Sequence, residues 1–82
     1  MTYAEVEGTV KDILAKQLTM EAAKINLDSR LVEDLGIDSF GSVEIAFELE
    51  EKFELKIPDA ALYEAKTVKN IVDYISSQKG IK

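Results

Sequence analysis

Apolar residues recur at helical spacing in three separate stretches of the chain, and nothing reads as a convincing strand. Val6, Val10, Ile13 and Leu14 fall on one face of a segment that opens with Thr2 and Glu5, the pair that makes a capping box. This predicts a first helix from about Tyr3 to about Leu18. Val68, Ile71, Val72 and Ile75 stand at i, i+3, i+4 and i+7 behind Thr67, a good N-cap, and predict a last helix with a narrow core-facing stripe. A middle helix starts at Asp38-Ser39. Pro58 lacks a backbone donor and disfavours helical geometry at Ile57, so this helix ends near Phe53 or Glu54. Asp59 to Glu64 leaves room for one short helical turn.

The middle helix carries two apolar groups rather than one. At about 100° per residue, Ile45, Ala46, Leu49 and Phe53 make an ordinary core face, whereas Phe40, Val43 and Phe47 cluster on the opposite side. Glu44, Glu48, Glu50, Glu51 and Glu54 lie around or among the second group. Spacing leaves two readings open: a strip covered by other parts of the chain and flanked by solvated glutamates, or a docking surface for a partner with an apolar groove and a basic rim.

About twenty residues separate the first helix from Asp38, a long connection for a small domain. Ile25, Leu27, Leu31, Val32, Leu35 and Ile37 are expected to pin it across the bundle. At 82 residues the chain is read as one domain, residues 1–82, with a modest core. No cysteine is present, so neither a disulfide framework nor a thiolate metal site is available. Met1 to Val10 shows no apolar run long enough for a signal peptide, so no targeting segment and no stable membrane insertion are expected; the cytoplasm is the default location and a monomer the expected state. Charge is uneven. Asp28 to Asp59 holds ten acids against Arg30, Lys52 and Lys56, a balance of −7, while the remainder sums to +1. An acidic middle argues against nucleic acid as a partner and for a basic protein.

Asp38-Ser39 is where candidate chemistry concentrates. The chain has no histidine and no cysteine, so Ser39 has no base to make it a catalytic nucleophile, and no catalytic residue is assigned. Either residue serves as a helix cap, and that local reading stands beside a second one: Ser39 as a modification site. A phosphoester there would sit at a helix N-terminus, where free amides and the helix dipole favour negative charge.

Taken together, Leu31-Val32-Glu33-Asp34-Leu35-Gly36-Ile37-Asp38-Ser39, then Val43-Glu44-Ile45, Leu49-Glu50-Glu51-Lys52-Phe53, Ile57-Pro58-Asp59, and Thr67-Val68 through Asp73-Tyr74-Ile75, resemble the acyl carrier proteins over nearly the whole length. The resemblance implies an all-α four-helix bundle of three longer helices and one short one, with a long loop between the first and second. It implies that Ser39, preceded by Asp38, receives 4'-phosphopantetheine from coenzyme A in a magnesium-dependent transfer, and that acyl groups ride on the arm as thioesters in fatty acid, specialised lipid or polyketide synthesis. It makes the second helix the recognition surface, with Phe40, Val43, Glu44, Phe47, Glu48 and Glu51 as docking residues. The partners it implies are a phosphopantetheinyl transferase, or holo-carrier synthase, and basic-surfaced acyltransferases, ketosynthases or ligases. Leu49, Phe53, Leu62 and Ile71 are candidate liners of an acyl pocket, with plain core packing as the alternative.

Phe40 stands where Leu or Met is usual in fatty-acid carriers and Gly41 where an acid is usual. The run Asp38-Ser39-Phe40-Gly41-Ser42-Val43-Glu44 is similar to carriers of D-alanine, which makes a D-alanyl or aminoacyl carrier one alternative. A small acidic interaction adaptor is another, of a different class. A divalent-metal protein ranks below both, because no stretch has the alternating acids, central Gly and terminal Glu of a calcium loop, and no metal ligand is assigned.

Overall fold

A computed structural model describes residues 2–58, 61 and 64–81. Helix α1 runs Tyr3–Leu18. Its capping box is formed: the Glu5 amide donates to Thr2 Oγ1 at 3.2 Å and the Thr2 amide donates to Glu5 Oε1 at 3.0 Å. Helix α2 runs Ser39–Phe53 and helix α3 runs Val68–Gln78. Thr67 and Asn70 cap α3 in the same reciprocal way, with Asn70 Oδ1 also taking the Lys66 amide.

The expected end of α2 is met by a device the sequence does not advertise. Glu54 turns left-handed at φ 53°, as Thr19 does after α1, and the next amides fold back, Leu55 to the Glu50 carbonyl and Met20 to the Ala15 carbonyl. Pro58 acts later, accepting the Ala61 amide at its carbonyl, while Ala61 accepts the Ala65 amide. Ala61 and Glu64 are helical. That agrees with a short turn in this segment, although Asp59, Ala60, Leu62 and Tyr63 lie outside the described residues.

The three helices pack through the stripes read from the sequence. Val6, Val10, Ile13 and Leu14 of α1, Ile45, Leu49 and Phe53 of α2, and Val68, Ile71, Val72 and Ile75 of α3 are buried in one cluster with Ile25, Leu31, Ile37 and Ile57. A short 3-10 turn, Ala22–Lys24, begins the long connection. Among the described residues the architecture is all helical, with one isolated bridge between Arg30 and Thr67 in place of any strand.

A hydrogen bond closes the two ends of the chain: Tyr3 donates its hydroxyl to Asp73 Oδ1 at 2.6 Å. That bond is the main reason the Tyr3 phenol is pushed up to about 12 from 10.0, with partial burial and the charges of Asp73 and Glu7 adding to it. A raised pKa means stability that is complete below pH 10 and lost as pH climbs from about 10 towards 12. Phenolate absorbance should therefore show Tyr3 ionising late, and Asp73→Ala should bring it back to the ordinary range.

Ser76 is 3% exposed and its Oγ has no hydrogen-bond partner among the described residues. Ser76→Ala removes an unsatisfied buried hydroxyl and adds a better helix former, so it should stabilise the fold by about 1 kcal/mol, raising the melting midpoint by roughly 4–8 °C. An unchanged or lowered midpoint would show that the hydroxyl is satisfied in solution.

Candidate functional site

The connection to α2 is fixed by backbone bonds to the start of α3. Leu31 N–H donates to the Lys66 carbonyl at 2.9 Å, Val68 N–H to Ser29 at 3.1 Å and Lys69 N–H to Leu27 at 2.9 Å. A helical turn follows, in which the amides of Asp34 and Leu35 both reach the Arg30 carbonyl. Gly36 ends it at φ 70°, with its amide on Val32 and the Ile37 amide on Leu31. A Cβ on Gly36 would meet nothing within 4 Å, so the demand for glycine here is conformational and not spatial.

Leu31 and Ile37 are buried on either side of this turn, and Ile37 anchors the chain directly before the site. Val32 corrects the expectation that all the apolar residues of the connection pin it down: it is 69% exposed. The i, i+4 relation of Leu31 and Leu35 rotates Val32 outward, a signal already present in the sequence once the turn is read as helical.

Asp38 is the N-cap of α2. Its Oδ1 accepts the Gly41 amide at 2.7 Å, and its carbonyl accepts both the Ser42 amide and the Ser42 hydroxyl, each at 2.9 Å. A Cβ at Gly41 would lie 3.2 Å from that same Oδ1, closer than side chains ordinarily tolerate, so glycine leaves room for the short capping bond. The cap residue and the candidate attachment residue are thus neighbours. Asp38 holds the helix start, while Ser39, the first residue of α2, is exposed and its hydroxyl has no partner among the described residues. The amides of Ser39 and Phe40 likewise have no acceptor there, leaving donors at the helix end beside the hydroxyl.

Along α2 the second apolar strip is open. Phe40, Val43 and Phe47 are 73%, 60% and 63% exposed, so the connection does not cover it. Glu44 and Glu51 are exposed beside it. Glu48 is half-buried and engaged: its Oε1 accepts from Gln17 Nε2 at 2.9 Å and lies 3.9 Å from Lys16 Nζ, tying α2 to α1. Of the candidate acyl-pocket residues, Leu49, Phe53 and Ile71 sit in the main core cluster, and Leu62 lies outside the described residues.

Residues 8–75 match the family model described as the phosphopantetheine attachment site. Three relatives are each described as an acyl carrier protein. One, from the Aster yellows witches'-broom phytoplasma, is 45% identical over 67 residues, covering 82% of this chain and 88% of the relative. Another, from Helicobacter hepaticus, is 42% identical over 71 residues, covering 87% and 93%. The third, from Campylobacter jejuni subsp. doylei, is 40% identical over 70 residues, covering 85% and 91%. The chain belongs to the acyl carrier protein family.

Membership gives this carrier its function, the transport of acyl groups, and its cofactor, 4'-phosphopantetheine. The thiol of the bound arm supplies the thioester chemistry, and the protein supplies attachment and positioning. The residues present fit such a group: among the described residues the exposed Ser39 hydroxyl has no partner, and the Ser39 and Phe40 amides have no acceptor. A carrier is itself non-catalytic and works with phosphopantetheinyl transferases and acyl-handling enzymes. No described helix is long and apolar enough to cross a membrane.

Proposed function

We propose that residues 1–82 act as a single carrier domain on which Ser39 bears the phosphopantetheine arm, delivering acyl intermediates to enzymes of fatty acid or specialised lipid synthesis. The observation that supports this most is the Ser39 hydroxyl, exposed and without a partner among the described residues at the start of α2, between the capping Asp38 and the open apolar strip. In the loading step Ser39 Oγ bonds to phosphorus as the phosphoric anhydride bond of coenzyme A breaks. The nucleotide leaves, and the hydroxyl proton passes to a base of the transferase, since this chain has no histidine. Asp38 holds the helix start so that Ser39 faces outward. Leu49, Phe53 and Ile71 are the side chains that an acyl chain entering the bundle would meet.

A chain without cysteine offers a direct test. Incubation with coenzyme A, magnesium and a phosphopantetheinyl transferase should take maleimide-reactive thiol, after removal of free coenzyme A, from none to one per chain. No gain with several transferases would favour an acidic adaptor that uses the same helix without a prosthetic group.

The docking face of the carrier is Phe40, Val43, Glu44, Phe47, Glu48 and Glu51, and its partners present apolar pockets with basic rims. Glu44 lies in the open with Val43 and Phe47 and has no ion pair among the described residues, so Glu44→Lys should slow loading through association on the order of three- to tenfold at low salt, less at high salt. Glu48→Lys is a poorer probe because it also breaks the bond to Gln17. Equal rates for Glu44→Lys and wild type at low salt would remove the acidic face from the mechanism.

A further inference from the structure

Arg30 is the only base between Lys24 and Lys52, and it lies in the turn that leads to Ser39. Its guanidinium reaches two acids at once: Nε and Nη2 lie 3.4 Å from the Asp34 oxygens, and Nη1 pairs with Glu33 Oε2. The contact holds the Asp34 carboxyl below the usual carboxylate range, chiefly through the Arg30 amide and guanidinium. On α2 most acids are unpaired: Glu44, Glu50 and Glu51, with Glu54 at the C-cap, have no ion pair among the described residues, and Glu48 alone lies near a base, 3.9 Å from Lys16 Nζ.

The guanidinium is not what builds the turn. The Arg30 amide donates to Asp34 Oδ2 at 2.8 Å, the Arg30 carbonyl accepts from Asp34 and Leu35, and Leu31 is bonded to Lys66. All of these bonds survive replacement of the side chain. Exposed ion pairs of this kind contribute little to stability, which leaves the charge itself as the consequence to explain.

We propose that Arg30 is a specificity residue that masks Glu33 and Asp34, confining the attraction for basic partners to the α2 flank of Ser39 and weakening it on the loop flank. The proposal rests on the reading of α2 as the docking face. Unmasked loop acids would add attraction for any basic partner approaching beside Ser39, the transferase included, so the arginine leaves the helix as the main source of that attraction. Long-range attraction depends on where charge sits as well as on its sum.

The test compares transferase loading rates of wild type, Arg30→Gln, Arg30→Lys, Lys79→Gln and Glu44→Lys. Lys79 is an exposed base just beyond α3, so Lys79→Gln makes the same change in net charge away from the turn. Arg30→Gln should raise kcat/KM about two- to fivefold at low ionic strength, with the gain lost at high salt, unchanged melting, and a return to wild type when Glu33→Gln is added. Arg30→Lys should behave as wild type. If Arg30→Gln matches wild type or Lys79→Gln while Glu44→Lys is slow, the masking role is wrong and the docking face stands. If Glu44→Lys is not slow, the docking face itself fails.

Discussion

Ser39→Ala is expected to abolish loading while leaving the chain folded. The hydroxyl is exposed, makes no hydrogen bond among the described residues and supports no packing, so its removal costs the fold within about 0.5 kcal/mol. Ser42 is the control that gives this result meaning. It lies three residues on, but its hydroxyl donates to the Asp38 carbonyl inside the first turn, half-buried and committed. Ser42→Ala should load at nearly the wild-type rate. Thiol content after incubation with transferase reads both variants, and circular dichroism checks that both remain helical. Loading of Ser39→Ala, or its loss in Ser42→Ala alone, would move the attachment point.

Phe53→Ala should be the most damaging substitution to the fold among the three phenylalanines, all of which lie on α2. Phe53 is 2% exposed within the main core, and truncating a buried Phe to Ala destabilises by about 3–5 kcal/mol. For a domain of this size that is a large share of total stability, and the melting midpoint should fall by roughly 15–30 °C. Phe40→Ala and Phe47→Ala should melt within a few degrees of wild type, because those rings are 73% and 63% exposed. Their effect belongs instead to partner binding, where an exposed aromatic ring can fill a pocket. Calorimetry of the three variants separates the two faces of one helix. Similar melting for all three would mean that the two faces do not divide as described.

Much of this division is legible in the chain itself. The i, i+3, i+4 spacing marks the core stripes of α1 and α3, and the capping residues Thr2 and Thr67 mark their starts, because both signals are local. The second strip on α2 is legible as an angular cluster, yet spacing alone does not tell a covered strip from an open one. That depends on where the connection goes, and its course is set by long-range backbone bonds between residues 27–31 and 66–69 that no local pattern encodes. Val32 reads as interior because it is apolar, but the turn ended by Gly36 rotates it outward. Asp38 and Ser39 are both cap-forming residue types. The geometry divides the roles, with Asp38 bonded to Gly41 and Ser39 left exposed. The engagement of Glu48 by Gln17 and the double pairing of Arg30 also depend on geometry, since Glu44 and Glu51 on the same helix as Glu48 have no ion pair among the described residues.

The most direct single measurement is fragmentation mass spectrometry of the chain after incubation with coenzyme A, magnesium and a transferase. One phosphopantetheine is predicted per chain, located on Ser39 by fragments that carry the added mass at that residue while those covering Ser42 alone do not. A chain that remains unmodified, or one that bears the group on Ser42 or any other hydroxyl, would contradict the assignment of Ser39 as the attachment site.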